Sequence, residues 1–280
     1  MKAPTALRVL EQGVAAGLHP GFQVYVSLRG QVVLDTALGE ARPGTPLGVH
    51  HLLVWLSATK PIVALALGRY WQQGQVDLLA PVARYLPAFG QAGKETVTVW
   101  QVLTHTGGFR SRVDLDWQDL PWEELVAQVC AAPLERGWVP GERAAYHPAS
   151  GWIALGAVLE RVGGRPCAQI LREEILVPLG MGSCWVGMPA EVYHQRSAHL
   201  AGLYNTLAKA PQPQVNWEGE EAAVRCLPWA GARCGNWAAS TRPSWPAVAR
   251  SSRPGLSSTS PRGTGRGYTT IPLARPSTGG

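Results

Sequence analysis

Two early segments of the chain, residues 22–28 and 32–38, are rich in β-branched and aromatic side chains. Such a composition is typical of β-strands. The short polar connection Arg29-Gly30-Gln31 lies between them, and its length and its glycine favour a tight turn. The pattern therefore predicts a hairpin that forms the first strands of an antiparallel sheet.

Later segments carry apolar residues at the spacing of one helix face. This spacing predicts a leading helix over residues 4–16, a central helix over 60–73, and further helices over 122–131, 151–162 and 166–175. Gly163 and Gly164 follow the fourth of these helices, and glycine is typical of the position after a helix end. The predicted fold class is α/β (α+β), an antiparallel sheet flanked by helices with an inserted helical subdomain.

The composition is that of a globular chain with one substantial core. A chain of 280 residues with 46% hydrophobic side chains can bury one such core. The N-terminal segment is amphipathic and is interrupted by Arg8 and Glu11, so it lacks the apolar stretch of a signal peptide. No apolar run has the length of a membrane span. The sequence therefore predicts a cytoplasmic protein without a membrane partner.

Charge and cysteine content indicate which partners and which metal or disulfide sites to expect. The net charge is +6, but eight arginines after residue 221 carry the whole excess, because residues 1–221 carry −2. We therefore expect no nucleic-acid partner, although an arginine-rich RNA-binding arm is the alternative interpretation of the C-terminal segment. The five cysteines are odd in number and lack CxxC spacing, which indicates neither a disulfide framework nor a zinc site. No metal or cofactor is expected.

The most informative local pattern is Ser57-Ala-Thr-Lys60, where a polar loop meets the predicted central helix. Residues three apart share a helix face, so the Lys60 amine can reach the Ser57 hydroxyl and take its proton. Desolvation and a helix N-terminus both disfavour the charged ammonium, which suits a lysine to act as a base. The alternative interpretation is an ordinary helix start, with Ser57 as the N-cap and Lys60 as an exposed charge.

Tyr146 is the second chemical candidate, in a segment that runs from a Pro-Gly turn into an apolar helix. A phenol beside a serine and a lysine can relay the serine proton to a leaving group. A third segment, Leu-Thr-His-Thr-Gly-Gly-Phe at residues 103–109, contains His105 and two glycines that allow a tight turn. We interpret His105 as structural, because Ser57 and Lys60 already supply a nucleophile and a base and no acid partner is evident.

These segments, in this order, resemble those of the β-lactamase-like serine hydrolases. That family includes class C β-lactamases, D-alanyl-D-alanine carboxypeptidases and SxxK carboxylesterases. The resemblance extends over about residues 21–226 and implies a β-lactamase/transpeptidase-like fold. It also implies that Ser57 is the nucleophile, Lys60 its base and Tyr146 the proton relay, with the Ser57 amide forming half of an oxyanion hole.

One departure from the family pattern concerns the substrate. Lactamases and peptidases of this kind usually have Tyr-x-Asn, whose amide helps to hold the acyl-amide of the substrate, but Pro148 stands at that place here. Proline offers no such hydrogen bond. We therefore expect a small carboxylic ester, or an amide, as the substrate. β-Lactamase and D-Ala-D-Ala carboxypeptidase activities are the alternatives.

The composition changes near residue 229. From there the chain contains mainly Arg, Pro, Ser, Thr and Gly, with no acidic residue and no apolar periodicity, and such a segment does not build a core. The sequence therefore predicts an incomplete hydrolase domain over residues 1–228 and an aberrant, disordered basic tail over 229–280. A shift to residues with GC-rich codons suggests a frameshift near residues 228–233.

If the resemblance holds, the frameshift hypothesis also has a consequence for catalytic activity. In this family a later strand lines the cleft with a triplet such as Lys-Thr-Gly and supplies the other oxyanion amide. Thr278-Gly279-Gly280 is no substitute, because no strand pattern surrounds it. The hypothesis therefore implies that the C-terminal strands are missing. It leaves a truncated, catalytically inactive fragment, acting at most as a binding module, as the remaining alternative.

Overall fold

The predicted hairpin is present in the computed structural model of the protein, which describes residues 4–111, 120–205, 212–213 and 237–239. Strand β1 (Gly21–Leu28) pairs antiparallel with strand β2 (Gln31–Arg42). Arg29 and Gly30 between them have φ of 51° and 80°. Two successive left-handed residues are what a tight turn between twisted strands requires. Helix α1 (Pro4–Ala15) packs against both strands, as the apolar pattern predicts.

Three short pairings surround this hairpin. Strand β3 (Thr45–Pro46) pairs with the end of β2. Strand β4 (Leu52–Val54) pairs antiparallel with β7 (Trp237–Ala239), and β5 (Tyr204–Asn205) pairs with β6 (Gln212–Pro213). Strand β7 belongs to the predicted tail, whose other residues lie outside the described ranges. The boundary at residue 228 therefore stays a prediction.

The central helix begins where the sequence pattern places it. A 3₁₀ turn (Leu56–Thr59) follows β4 after one residue and leads directly into helix α2 (Lys60–Gln72). The buried side chains of α2 lie at the spacing of one face: Ile62, Val63, Ala66, Leu67 and Tyr70. This face packs on the helical part of the molecule, so burial of apolar area fixes how the helix carrying Lys60 is oriented.

Five further α-helices follow α2 in the described residues. They are α3 (Val99–Leu103), α4 (Trp122–Ala131), α5 (Ser150–Gly163), α6 (Cys167–Ile170), which continues as a π-helical turn (Leu171–Leu176), and α7 (Ala190–Arg196). Helix α5 ends at Gly164, whose φ of 64° is the left-handed C-cap that the glycine pair predicts. Within the described residues, no helix has the length and apolarity needed to cross a membrane.

Helix α5 is the centre of the core. Every side chain from Ser150 to Leu159 is buried, and α5 packs against α2, α3, α4 and α6. An ionic network adds to this packing at the far end of α2, where Glu174 accepts a 3.0 Å hydrogen bond from the Tyr70 hydroxyl and lies 3.2 Å from Arg69 Nε. This network joins α2 to the π-helical turn. The packing of α5 against α2 places the helix that carries Lys60 beside the helix that follows Tyr146.

Candidate active site

Ser57 lies on a sharp turn between strand β4 and helix α2. Leu56, the residue before it, has φ of 48°, in the left-handed region that branched and bulky side chains rarely adopt. Such strain is kept only where the surrounding structure imposes it, and it often occurs at functional positions. The alternative interpretation of Ser57 as the helix N-cap is wrong, because Thr59 occupies that position and makes no side-chain cap.

Lys60 is close to Ser57 and almost completely buried. Its Nζ donates a 2.9 Å hydrogen bond to Ser57 Oγ, and only 5% of the residue is exposed. The alternative interpretation of Lys60 as an exposed charge is therefore also wrong. An amine within hydrogen-bond reach of a hydroxyl, in a position screened from water, can accept the hydroxyl proton.

Tyr146 completes the group that the sequence predicts. Its hydroxyl lies 2.5 Å from Ser57 Oγ, and Lys60 Nζ lies 5.3 Å from the centre of its ring. In contrast to Lys60, 55% of Tyr146 is exposed, so its phenol faces solvent next to the serine. The structure thus brings together three side chains that are up to 89 positions apart in the sequence. A proton can pass between the serine, the amine and the phenol without large movements.

The segment at residues 103–109 supports the loop that leads to Tyr146. Helix α3 before it begins with a reciprocal cap between Thr98 and Gln101, as expected for a threonine at that position. The Thr106 carbonyl then accepts two hydrogen bonds, from the Trp138 indole at 3.0 Å and from the Gly141 amide at 3.0 Å. Both donors belong to the loop before Tyr146, so this carbonyl anchors that loop.

Gly108 is required by the contact between this segment and the Trp138 ring. Its φ is 71°, and a Cβ placed on it would lie 1.8 Å from a ring carbon of Trp138. A side chain here is therefore excluded both by backbone conformation and by space. The tight turn predicted from the two glycines is present, and it allows the Trp138 ring to approach the backbone closely.

Three further residues lie around this group: His105, His147 and Trp152. His105 was interpreted above as structural, and the sequence does not indicate how close its ring and that of Trp152 lie to the site. The His105 ring lies 5.0 Å from the Tyr146 ring and 5.8 Å from the ring of Trp152, which is buried. Burial lowers the pKa of His105, and the charges of Lys60 and His147 lower it further. His147, also buried, has Nε2 2.7 Å from a carboxylate oxygen of Glu135.

The chemistry of this site rests on side-chain oxygen and nitrogen atoms. In the part of the chain that the structure describes, no group of three or more His, Cys, Asp or Glu side chains is arranged to hold a metal ion. Cys130, Cys167 and Cys184 are buried. The arrangement can therefore perform nucleophilic substitution with the serine hydroxyl, provided that a substrate carbonyl reaches Ser57 Oγ.

The chain is similar to several known proteins. The sequence profile of the family described as Beta-lactamase matches residues 7–270. Esterase EstB of Burkholderia gladioli is 30% identical over 252 residues, which cover 79% of this chain and 60% of that protein. The esterase/beta-lactamase LipL of Mycobacterium tuberculosis is 34% identical over 175 residues, which cover 60% of this chain and 39% of that protein.

A solved structure shares the fold. The crystal structure of a family VIII carboxylesterase superposes with a TM-score of 0.65 at 27% identity, covering 82% of this chain and 66% of that one. The fold class predicted from the sequence is thereby confirmed. The chain spans well under two thirds of the length of the two curated relatives, at 60% and 39%.

Proposed function

Because the chain belongs to the β-lactamase family, we propose that it is a serine hydrolase that cleaves small carboxylic esters through an acyl-enzyme on Ser57. The observation that carries this proposal is the contact of Ser57 Oγ with Lys60 Nζ at 2.9 Å and with the Tyr146 hydroxyl at 2.5 Å. Nucleophile, base and proton relay stand in one chain of contacts, which is the requirement for acyl transfer to serine.

The proposed reaction has two halves. In the first, Ser57 Oγ attacks the ester carbonyl carbon as its proton passes to Lys60 Nζ, and the Tyr146 hydroxyl gives a proton to the departing alkoxide. In the second, a water molecule gives a proton to the Tyr146 phenolate and attacks the acyl carbon. The C–O bond to Ser57 then breaks, and the Lys60 ammonium returns its proton to Ser57 Oγ. The sum is ester plus water to acid plus alcohol. The Ser57 amide, at the start of the 3₁₀ turn, is a donor for the carbonyl oxygen.

Two observations favour esters over β-lactams and peptides. Pro148, two residues after Tyr146, has no side-chain amide with which to hold the acyl-amide of a lactam or peptide. Both curated relatives described above are named esterases, and the carboxylesterase structure is more than 25% identical. A second candidate is β-lactam hydrolysis, which the name of LipL as an esterase/beta-lactamase supports.

Turnover measurements test the proposal. The full chain should hydrolyse p-nitrophenyl acetate or butyrate, and Ser57→Ala should abolish this turnover while keeping the melting temperature. A chromogenic cephalosporin measured beside the esters decides between the two candidates. Faster release from the cephalosporin would favour the lactamase. If a folded chain shows no Ser57-dependent turnover of any of these substrates, the hydrolase proposal is rejected and a binding role is favoured.

A further inference from the structure

His105 belongs to the cluster around Tyr146 but has no part in the proposed proton transfers. Its ring centre lies 5.0 Å from that of Tyr146 and 5.8 Å from that of Trp152. Lys60 Nζ lies 5.3 Å and 5.8 Å from the same two rings. We infer that His105 is a positioning residue for the proposed hydrolase, whose ring holds the Tyr146 phenol against Ser57 without exchanging a proton with it.

The Tyr146 phenol needs such support because little else covers it. The residue is 55% exposed, so much of its surface faces solvent. Its hydroxyl must nevertheless stay within hydrogen-bond distance of Ser57 Oγ, at 2.5 Å. A misplacement of about 1 Å can cost up to roughly a hundredfold in rate. The His105 ring is a neighbour of the phenol, so we expect its loss to affect catalysis more than stability.

The backbone of His105, like its ring, contacts the segment that carries Tyr146. Its carbonyl accepts a 3.0 Å hydrogen bond from the Ala145 amide, so His105 fixes the residue directly before Tyr146. His105 itself has φ of 58°, in the left-handed region. Histidine is among the few residues enriched there, together with Asn and Asp. This backbone conformation directs the imidazole ring towards Tyr146 and Trp152.

An uncharged ring suits this position. The titratable groups that face His105 are Lys60, Tyr146 and His147, and a second positive charge beside Lys60 would repel it. Burial is the largest cause that lowers the pKa of His105, followed by the charges of Lys60 and His147. The 5.0 Å between the two ring centres is the distance of packed aromatic rings, so the imidazole acts on the phenol through this contact.

Two substitutions separate the roles of ring and backbone. His105→Asn keeps a residue that tolerates the left-handed backbone but removes the ring, whereas His105→Phe keeps a ring and disfavours the backbone. We expect His105→Asn to lower kcat by roughly ten- to a hundredfold with KM nearly unchanged. His105→Phe should be less stable than His105→Asn and yet more active. His19→Asn is a matched control, since this half-buried histidine packs edge-on against Phe22.

A spectroscopic readout makes the test independent of turnover. The ¹⁹F resonance of 3-fluorotyrosine placed at position 146 of the full chain reports the surroundings of the phenol. It should shift and broaden in His105→Asn, recover in His105→Phe, and stay unchanged in His19→Asn. A wild-type chain that fails to hydrolyse esters would reject the proposed function. The ¹⁹F comparison would still decide the role of His105.

Three results would overturn the inference. One is an unchanged ¹⁹F resonance in a folded His105→Asn variant. A second is activity that simply follows stability across the two variants, which is what a merely structural histidine predicts. The third is an equal loss of kcat in both variants together with loss of the acidic limb of the pH profile. That result would mean that His105 transfers a proton.

Discussion

Replacing Tyr146 with phenylalanine isolates the contribution of one hydroxyl group. Tyr146→Phe keeps the ring that contacts His105 and Lys60 and removes only the oxygen 2.5 Å from Ser57 Oγ. A positioned acid or base usually contributes about 10²- to 10⁴-fold in rate. At about 1.36 kcal/mol per tenfold, this is roughly 2.7–5.5 kcal/mol of transition-state stabilisation.

The same change should hardly affect stability. A typical intramolecular hydrogen bond contributes roughly 0.5–1.5 kcal/mol, and Tyr146 is 55% exposed, so water replaces the lost partner. We expect the free energy of unfolding to fall by less than about 1 kcal/mol. The structure therefore predicts a large loss of rate with a small loss of stability, the pattern of a residue that acts in the reaction.

The assay is stopped-flow release of p-nitrophenol, which separates acylation from steady-state turnover. Tyr85→Phe is the control, because it also removes a phenol hydroxyl, one that accepts a 2.7 Å hydrogen bond from the Asp77 amide. The Tyr85 variant should keep wild-type kcat. The reasoning is refuted if Tyr146→Phe retains more than about a third of wild-type kcat, a loss well below that of a positioned acid, or if both variants lose the same factor.

Three further predictions follow from the structure. Gly108→Ala should lower the free energy of unfolding by roughly 2–4 kcal/mol through the clash with Trp138 and the left-handed backbone. Gly30 is the control, because its φ is 80° and no atom lies within 4 Å of an added Cβ. Gly30→Ala should lower the free energy of unfolding by only about 1–2 kcal/mol. Equal losses for the two variants in urea unfolding would contradict the clash at Gly108. His51, His50 and His199 form a cluster with ring centres 4.6–6.0 Å apart, and burial, with the other two histidines, lowers the pKa of His51 below 6.5. The unfolded chain then binds a proton at higher pH than the folded chain, so stability is lost as pH falls below about 6.5. His199→Gln should shrink the difference in unfolding free energy between about pH 7.5 and about pH 5, and an unchanged difference would rule out this cluster as its cause. Finally, the frameshift hypothesis predicts that resequencing near codons 228–233 reveals a second reading frame that encodes acidic and aliphatic residues, whereas an uninterrupted frame would reject it.

Local signals in the sequence predict many of the elements. The hairpin, α1, α2, α4 and the glycine stop of α5 depend on turn residues, apolar spacing and caps that act within a few positions, so their bounds differ little from the predicted ones. The helix predicted over residues 166–175 is a short α-helix followed by a π-helical turn. That change depends on packing against α2, which no local pattern reports.

The candidate site could be predicted only in part. The spacing of Ser57 and Lys60 indicates their contact directly. Tyr146 lies 89 positions from Ser57, so its contact with Ser57 arises only in the fold. The left-handed conformations of Leu56 and His105 could not be predicted, because these residue types do not require a positive φ and tertiary contacts impose it.

Covalent labelling tests whether Ser57 is an activated nucleophile. The full chain is incubated with a fluorophosphonate, digested, and the modified peptide identified by mass spectrometry. We expect one stoichiometric adduct on Ser57, formed much more slowly by a Lys60→Met variant and absent in Ser57→Ala. A folded wild-type chain that forms no adduct, or an adduct on another residue, would contradict it.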